Sequence, residues 1–410
     1  MKVGIVTTWF ERGAAYVSKQ FEETLAKHHD IFIYARGGED YAIGDPKWDK
    51  ENVFWGKRIG SPINSTVIDK TEFIKWIKKN KIQKIIFNEQ SWFPPVLWCK
   101  DLNITTIAYI DYYTEKTIPL FEAFDYLICN TKRHYNAFKW HTGATYIPWG
   151  TNVDLFKPKS EKNCLVDTDN ITIFHSAGMN PIRKGTDQLL EALYNANVQN
   201  TKLIIHTQVE LNEIFPELKS KISKLLINKK LKVITKTITA PGLYKEGDVY
   251  IYPARLDGLG LTIAEAISSG LALIVPDNPP MNEFVHFNFG KVIKIDKMFT
   301  RSDGYYWPQC EINILHLTKI IEELESSKKE IVDKKKAARI YALENLNWNK
   351  NSKSLLMLIA KPIEESKTLN TEVLKKINEF ENSGQNKLNR IYLIFYPFSK
   401  FLLNILLRKL

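Results

Sequence analysis

Residues 252–270 read YPARLDGLGLTIAEAISSG. An apolar run ends at Tyr252, a loop with two glycines follows, and an amphipathic helix is predicted over 262–269. Gly258 and Gly260 let the backbone approach a ligand closely, and the N–H groups at a helix N-terminus near Leu261 favour a phosphate. Asp257 sits on the loop and Glu265 about one turn into the helix. Both carboxylates can then face one pocket and accept hydrogen bonds from sugar or ribose hydroxyls.

Outward from this stretch, short β-branched or aromatic runs alternate with amphipathic helical segments, the pattern of a parallel sheet covered by helices on both faces. Strands are predicted at 3–7, 32–35, 84–87, 105–110, 126–129 and 145–147, with helices at 15–28, 72–79 and 132–140 between them. A second series follows a polar stretch at 157–170. Its strands are predicted at 171–175, 203–206, 232–234, 249–252 and 272–275, and its helices at 186–195, 262–269, 312–325 and 328–346. The fold class is α/β: two Rossmann-like domains facing a central cleft, because ligands bind outside the carboxyl ends of such strands.

Four segments in order resemble the retaining glycosyltransferases of the GT-B fold, specifically the large GT4 family. Asp257 and Glu265 have the spacing of its E-x7-E motif. IPWGTNVDLFKP at 147–158 is similar to its interdomain signature, SAGMNPIRKG at 176–185 to its basic diphosphate loop, and LYKEGDV at 243–249 to the segment before the motif strand. The resemblance covers roughly residues 1–362 and is weakest over the first 140. It implies a donor that is a UDP-sugar or GDP-sugar, a glycan or lipid-linked acceptor, and no metal or other cofactor. Glu265 would bind the nucleotide ribose. Asp257 and the backbone of Gly258, Leu259, Gly260, Leu261 and Thr262 would hold the donor sugar and its phosphates, while Lys184 would neutralise the departing diphosphate.

The sequence departs from that family in three places. Asp257 stands where Glu is commoner, one methylene shorter. Met179 stands where an Arg often follows the loop glycine, and Arg183 is the residue expected to replace it. A His is frequent after the fourth strand of the first domain, whereas here Asp111-Tyr112-Tyr113 follows. Asp111 either orients an acceptor hydroxyl or serves the strand-end turn. Gly13, after the first strand, either lets a donor phosphate or acceptor approach or simply opens a helix. Two alternatives remain at this stage: a nucleotide-sugar epimerase of the same fold, and a non-catalytic glycan-binding or assembly partner.

The domain boundaries that follow are 1–156 for an acceptor-side domain, 157–170 for a linker, 171–346 for the nucleotide-sugar domain and 347–362 for a crossover helix returning to the first domain. Residues 363–410 make a spacer and a basic tail. Other motifs fail on order or context. Residues 178–186 run Lys-Gly-Thr rather than the Gly-Lys-Thr of a P-loop, and no G-x-G-x-x-G follows the first strand. Asp167-Thr168-Asp169 matches a metal-binding D-x-D but lies in the linker, where an acidic loop is the plainer reading. SWFPP at 91–95 could stack a sugar or fill the core, and the core is the preferred reading. His175 could line the cleft or support the strand end.

The chain has 410 residues, 44% of them hydrophobic and 25% charged, which excludes a disordered or collagen-like polymer. Its 4 cysteines form no C-x-x-C pair, so neither a zinc ribbon nor a disulfide framework is expected, and a reducing cytoplasm fits. The net charge is +11, and residues 387–410 carry five of these charges with no acid. Lys400, Asn404 and Arg408 would make one polar stripe on an amphipathic helix after Pro397, leaving a broad apolar face. Such a helix is expected to lie in the interface of an anionic membrane, making the protein peripheral on the inner face. With the excess charge concentrated there, nucleic acid is not the expected partner.

Overall fold

The apolar runs of the first 146 residues are buried on both faces, as parallel strands are when helices cover the sheet. The computed structural model describes residues 1–36, 42–57, 66–159, 170–363, 369–384 and 387. The order is β1 (Lys2–Thr7), α1 (Gly13–Leu25), β2 (Asp30–Ala35), β3 (Val53–Trp55), α2 (Lys70–Asn80), β4 (Lys84–Asn88), α3 (Pro94–Asp101), β5 (Thr105–Tyr109), β6 (Tyr126–Cys129), α4 (Lys132–Phe138) and β7 (Ala144–Tyr146). All strands pair in parallel in the order β3-β2-β1-β4-β5-β6-β7. The direction of winding reverses between β1 and β4, so this sheet has a topological switch point there.

The second sheet is built the same way. Its elements are β8 (Ile171–Gly178), α5 (Thr186–Asn195), β9 (Thr201–Thr207), α6 (Leu211–Ile214), α7 (Lys219–Ile227), β10 (Leu231–Thr235), β11 (Val249–Ile251), α8 (Leu261–Ser268), β12 (Ala272–Pro276) and β13 (Gly290–Ile293). The parallel order β10-β9-β8-β11-β12-β13 puts the switch point between β8 and β11. The core beneath it joins Ile171, Ile173, Leu189, Leu193, Val249 and Ile251, all fully buried. An antiparallel hairpin, β14 (Ile295–Phe299) and β15 (Gln309–Ile312), was not anticipated from the sequence. It takes Ile312 out of the expected helix, so α9 (Ile314–Ser326) starts two residues later, with Asn313 accepting a cap hydrogen bond from His316 N. α10 (Lys328–Asn345) and α11 (Trp348–Asn351) follow.

Two compact units result. The first holds Met1–Cys129, His134–Tyr146 and the chain from Ser354 onward; the second holds Asn130–Arg133 and Ile147–Lys353. The single crossover helix expected within 347–362 is divided into α11 and α12 (Lys353–Ala360). Within the first unit the buried Lys84 donates its ammonium to the carbonyl of Lys361, just past α12.

The spacer expected within 363–410 is in part helical. Thr371–Glu381 forms a further helix, α13, with Asn370 accepting the cap hydrogen bond from Glu372 N. Its Val373 and Ile377 are buried, and Phe380 lies edge-on to Phe93 at 6.1 Å between ring centres. Charged residues dominate its outer face, which hides its apolar positions from a compositional reading. Phe93 also packs on Phe121 and Phe124, so the aromatic loop at 91–95 is core. The expected basic helix after Pro397, the D-x-D at 167–169 and Cys164 lie outside the described residues. Cys99, Cys129 and Cys310 are free and buried. No helix among the described residues is long and apolar enough to cross a membrane.

Candidate active site

The loops after β8 and β11 meet at the switch point of the second sheet, and their fit depends on one glycine. Gly185 has φ +70°, and a Cβ there would stand 1.9 Å from the carbonyl oxygen of Pro253. Only glycine permits this backbone at this approach. The two loops are then joined repeatedly. Arg255 N donates to Arg183 O at 2.9 Å, and the Arg183 guanidinium donates to Leu256 O at 3.0 Å. The Arg255 guanidinium forks onto both Asp187 oxygens at 2.8 and 2.6 Å.

His175 completes the join from below. It is fully buried, with Nδ1 2.9 Å from Ile251 O and Nε2 2.8 Å from the Thr186 hydroxyl. A carbonyl can only accept, so Nδ1 carries the proton and Nε2 accepts from Thr186. Burial pushes its pKa down to about 4, which keeps it a neutral strut between β8, β11 and α5. That is the supporting role rather than the cleft-lining one.

Lys184 and Asp257 form the centre. The Lys184 ammonium lies 3.0 Å from Asp257 Oδ2, contacts the Tyr252 hydroxyl and sits 4.6 Å from the centre of the Tyr252 ring. Arg183 approaches the same oxygen at 3.5 Å, and the Tyr252 hydroxyl donates to it. The other carboxylate oxygen accepts from Gly260 N at 2.9 Å and Leu259 N at 3.2 Å. Burial alone would raise the Asp257 carboxyl, but Lys184 and Arg183, with the Tyr252 hydrogen bond, hold it well below the usual carboxylate range. Burial lowers the Lys184 pKa, and the Asp257 charge opposes that shift. Both Asp257 oxygens are thus taken by the chain's own donors. This differs from the sugar-facing carboxylate expected from the sequence: Asp257, 8% exposed, holds the loop and the lysine.

Asp257 also shapes the end of α8. Gly260, at φ +85°, is its N-cap and supplies no side-chain cap, and the first turn carries no acid. The positive end of the helix dipole is met instead by the Asp257 carboxylate, through the Leu259 and Gly260 amides. One turn on, Glu265 Oε2 accepts from the Tyr244 hydroxyl at 2.5 Å. Burial pushes the Glu265 pKa up to about 7, with the Tyr244 hydrogen bond and Lys184 opposing.

Unit two therefore brings together Arg183, Lys184, Asp257, Gly258, Leu259, Gly260, Leu261, Thr262 and Glu265. Met179, where the sequence departs from the family, is 75% exposed. Gly13, the exposed first residue of α1, and Asp111, half-buried just past β5, belong to the first unit instead. Gly13 opens α1, which both readings of it allow. Sequence reasoning missed Tyr252, which begins the motif stretch, and Tyr244, which lies in the segment before it. It also missed Arg133, which holds the Asp257 carbonyl. No group of three or more potential metal ligands occurs among the described residues.

The chain superposes on the solved structure of HepE from Anabaena bound to UDP with TM-score 0.68 and 14% identity, over 88% of this chain and 99% of that one. A glycosyltransferase from Rickettsia africae gives TM-score 0.66 at 15% identity, over 88% and 99%. The fold is GT-B. WaaG, a glycosyltransferase involved in lipopolysaccharide biosynthesis, gives TM-score 0.61 at 14% identity, over 88% and 100%. In sequence, residues 157–300 match the family model for glycosyl transferases group 1, a span that contains the whole constellation of unit two. No curated protein sequence matches.

Proposed function

We propose that this protein is a retaining, GT4-like glycosyltransferase that moves a sugar from a UDP-sugar or GDP-sugar to a glycan or lipid-linked acceptor. The observation that carries the reading is the convergence at one switch point of Lys184, Arg183 and the N-terminus of α8, with Glu265 one turn into that helix. Breaking a glycosyl phosphate bond builds negative charge on the leaving oxygen. Two fixed cations and a helix dipole stabilise that charge without reorganising, and in this reading they do so without a metal. Glu265 accepts from the ribose hydroxyls. Asp257 keeps Lys184 charged and aimed rather than touching the sugar. The neighbours support a nucleotide donor, since HepE is solved with UDP and with UDP-glucose.

The test is incubation of the full chain with UDP- and GDP-sugars and candidate acceptors, with and without EDTA, followed by proton NMR of the product anomeric signal. Transfer or donor hydrolysis that survives chelation and keeps the donor configuration supports the reading. Conversion of the donor to an epimer without an acceptor would replace it with an epimerase, and inversion would remove the retaining mechanism.

Glu265 gives the site a pH dependence. Its folded pKa lies above its ordinary value, so the stability gained from its neutral form is complete below the ordinary carboxylate range and lost as pH rises through about 7. Nucleotide binding runs in the opposite direction, because the ionised carboxylate is the better acceptor for two hydroxyls. The affinity for a UDP-sugar, whose phosphates are already ionised, is expected to rise about tenfold from pH 6 to pH 8. Calorimetric titration should show this rise in the wild type and a flat response in Glu265→Gln.

The basic segment 387–410 is proposed to hold the enzyme on an anionic membrane near a lipid-linked acceptor. Deleting it should abolish cosedimentation with vesicles containing phosphatidylglycerol. Unchanged cosedimentation would remove this part of the account.

A further inference from the structure

The loop that carries Asp257 has a second anchor. Arg133, at the start of α4, is 3% exposed and belongs to the second unit. Its Nη1 donates to Pro279 O at 2.6 Å. Its Nη2 donates to Asp257 O at 2.7 Å, with Gly258 O at 3.4 Å and the Tyr305 hydroxyl at 3.3 Å. The guanidinium lies 5.1 Å from the centre of the Trp307 ring, at the tip of the β14–β15 hairpin. Its position is fixed from the backbone side as well: Glu283 accepts from Lys132 N at 2.7 Å and Arg133 N at 2.8 Å. A buried cation that joins three carbonyls from two loops, a tyrosine and an indole requires guanidinium geometry, which an ammonium cannot reproduce.

We propose that Arg133 is a positioning residue for the donor site, holding the Asp257–Gly258 peptide planes so that the Asp257 carboxylate meets Lys184 and the Gly260 amide. The inference rests on the donor-site reading above. A peptide plane is rigid, so a carbonyl tied to Arg133 sets the direction in which the adjoining backbone and side chain leave it. The Asp257 main chain is held on one side by Arg133, and its side chain on the other by Lys184, Tyr252 and Arg183 together with the Leu259 and Gly260 amides. Releasing the first set loosens the second. Arg133 acts on the reaction only through this loop.

The expected consequence reaches Lys184. That ammonium is faced by Asp257, Arg183, Tyr252 and Glu265, with His175 on β8 beneath it, and of these only Asp257 and Glu265 favour its charged form through their own charge. If Asp257 drifts away, Lys184 loses its proton at a lower pH. A residue needed only for folding would lower the active fraction and leave the shape of the pH profile unchanged.

Arg133→Met and Arg133→Lys test the assignment on the full chain. In the ligand-free protein, hydrogen exchange of the amides of 256–261 is expected to rise about tenfold in Arg133→Met, with β4 and β5 exchanging as in the wild type. The alkaline limb of its normalised kcat profile with a UDP-sugar is expected to move down by about half a pH unit or more. If β4 and β5 also lose protection in Arg133→Met, Arg133→Lys carries the same two readouts, with smaller changes expected in the same direction. Wild-type protection at 256–261 together with an unmoved alkaline limb would overturn the proposal. A wild type that turns over no nucleotide sugar would overturn the donor-site reading instead, and the exchange comparison would still decide whether Arg133 holds the loop.

Discussion

Lys184→Ala should lower kcat for donor cleavage by about 10²- to 10³-fold, the loss typical when one preorganised group facing a developing charge is removed. The KM for the donor should change far less, because a lysine that acts on the leaving oxygen is worth most when that oxygen is most negative. Lys184→Arg should not restore the rate. The ammonium is a compact charge stacked on the Tyr252 ring and 3.0 Å from Asp257 Oδ2, and a planar fork cannot occupy that position. Steady-state release of nucleoside diphosphate checks both variants.

Asp257→Ala has the second large effect, and it falls on stability as well as rate. Removing the carboxylate leaves Lys184 buried beside Arg183 without its counter-charge and releases the Leu259 and Gly260 amides. Breaking a buried pair by deleting one partner costs about 3–5 kcal/mol. Donor turnover should fall below detection with it. The pH dependence identifies the cause. The Asp257 pKa is depressed in the folded state, so its stabilisation is present above the unfolded value, about 3.9, and is lost as pH falls through the lower folded value. Urea denaturation should therefore show a constant deficit for Asp257→Asn from pH 5 to pH 8, narrowing below pH 4. A deficit independent of pH into strong acid would mean that the charge is not what stabilises the loop.

Much of this fold could be read from the sequence because parallel strands buried on both faces must be continuous apolar runs, and the helices between them must be amphipathic. The helix expected at 186–195 is α5, and the loop glycines stand where backbone approach requires them. Elements defined by long-range contact were harder to see. The hairpin at 295–312 has the half-exposed, charged strands of a surface ribbon, and the apolar face of α13 shows only once Val373 and Ile377 are buried and Phe380 lies against Phe93.

The site divides in the same way. The eight-residue interval between Asp257 and Glu265 and the adjacent pair Arg183-Lys184 are local, so spacing finds them. The inward turn of Asp257 onto Lys184, Tyr252 and two amides is not local, since it follows from the approach of two loops separated by about seventy residues of chain. Arg133 is further still from the loop it holds, and nothing in the run Lys132-Arg133-His134 marks it as buried. Its role is visible only in the folded second unit, where Arg133 and the Asp257 loop come together.

In the proposed reaction the β8–β11 switch point binds the diphosphate of a nucleotide sugar through Lys184 and the end of α8. Titration of UDP and GDP into the wild type and Lys184→Ala, followed by hydrogen exchange, tests it most directly. Binding of at least one nucleotide is expected, with new protection confined to residues 176–186 and 256–266 and an affinity at least tenfold weaker in the variant. Equal affinity in the two proteins, or protection elsewhere with none in these loops, would contradict it.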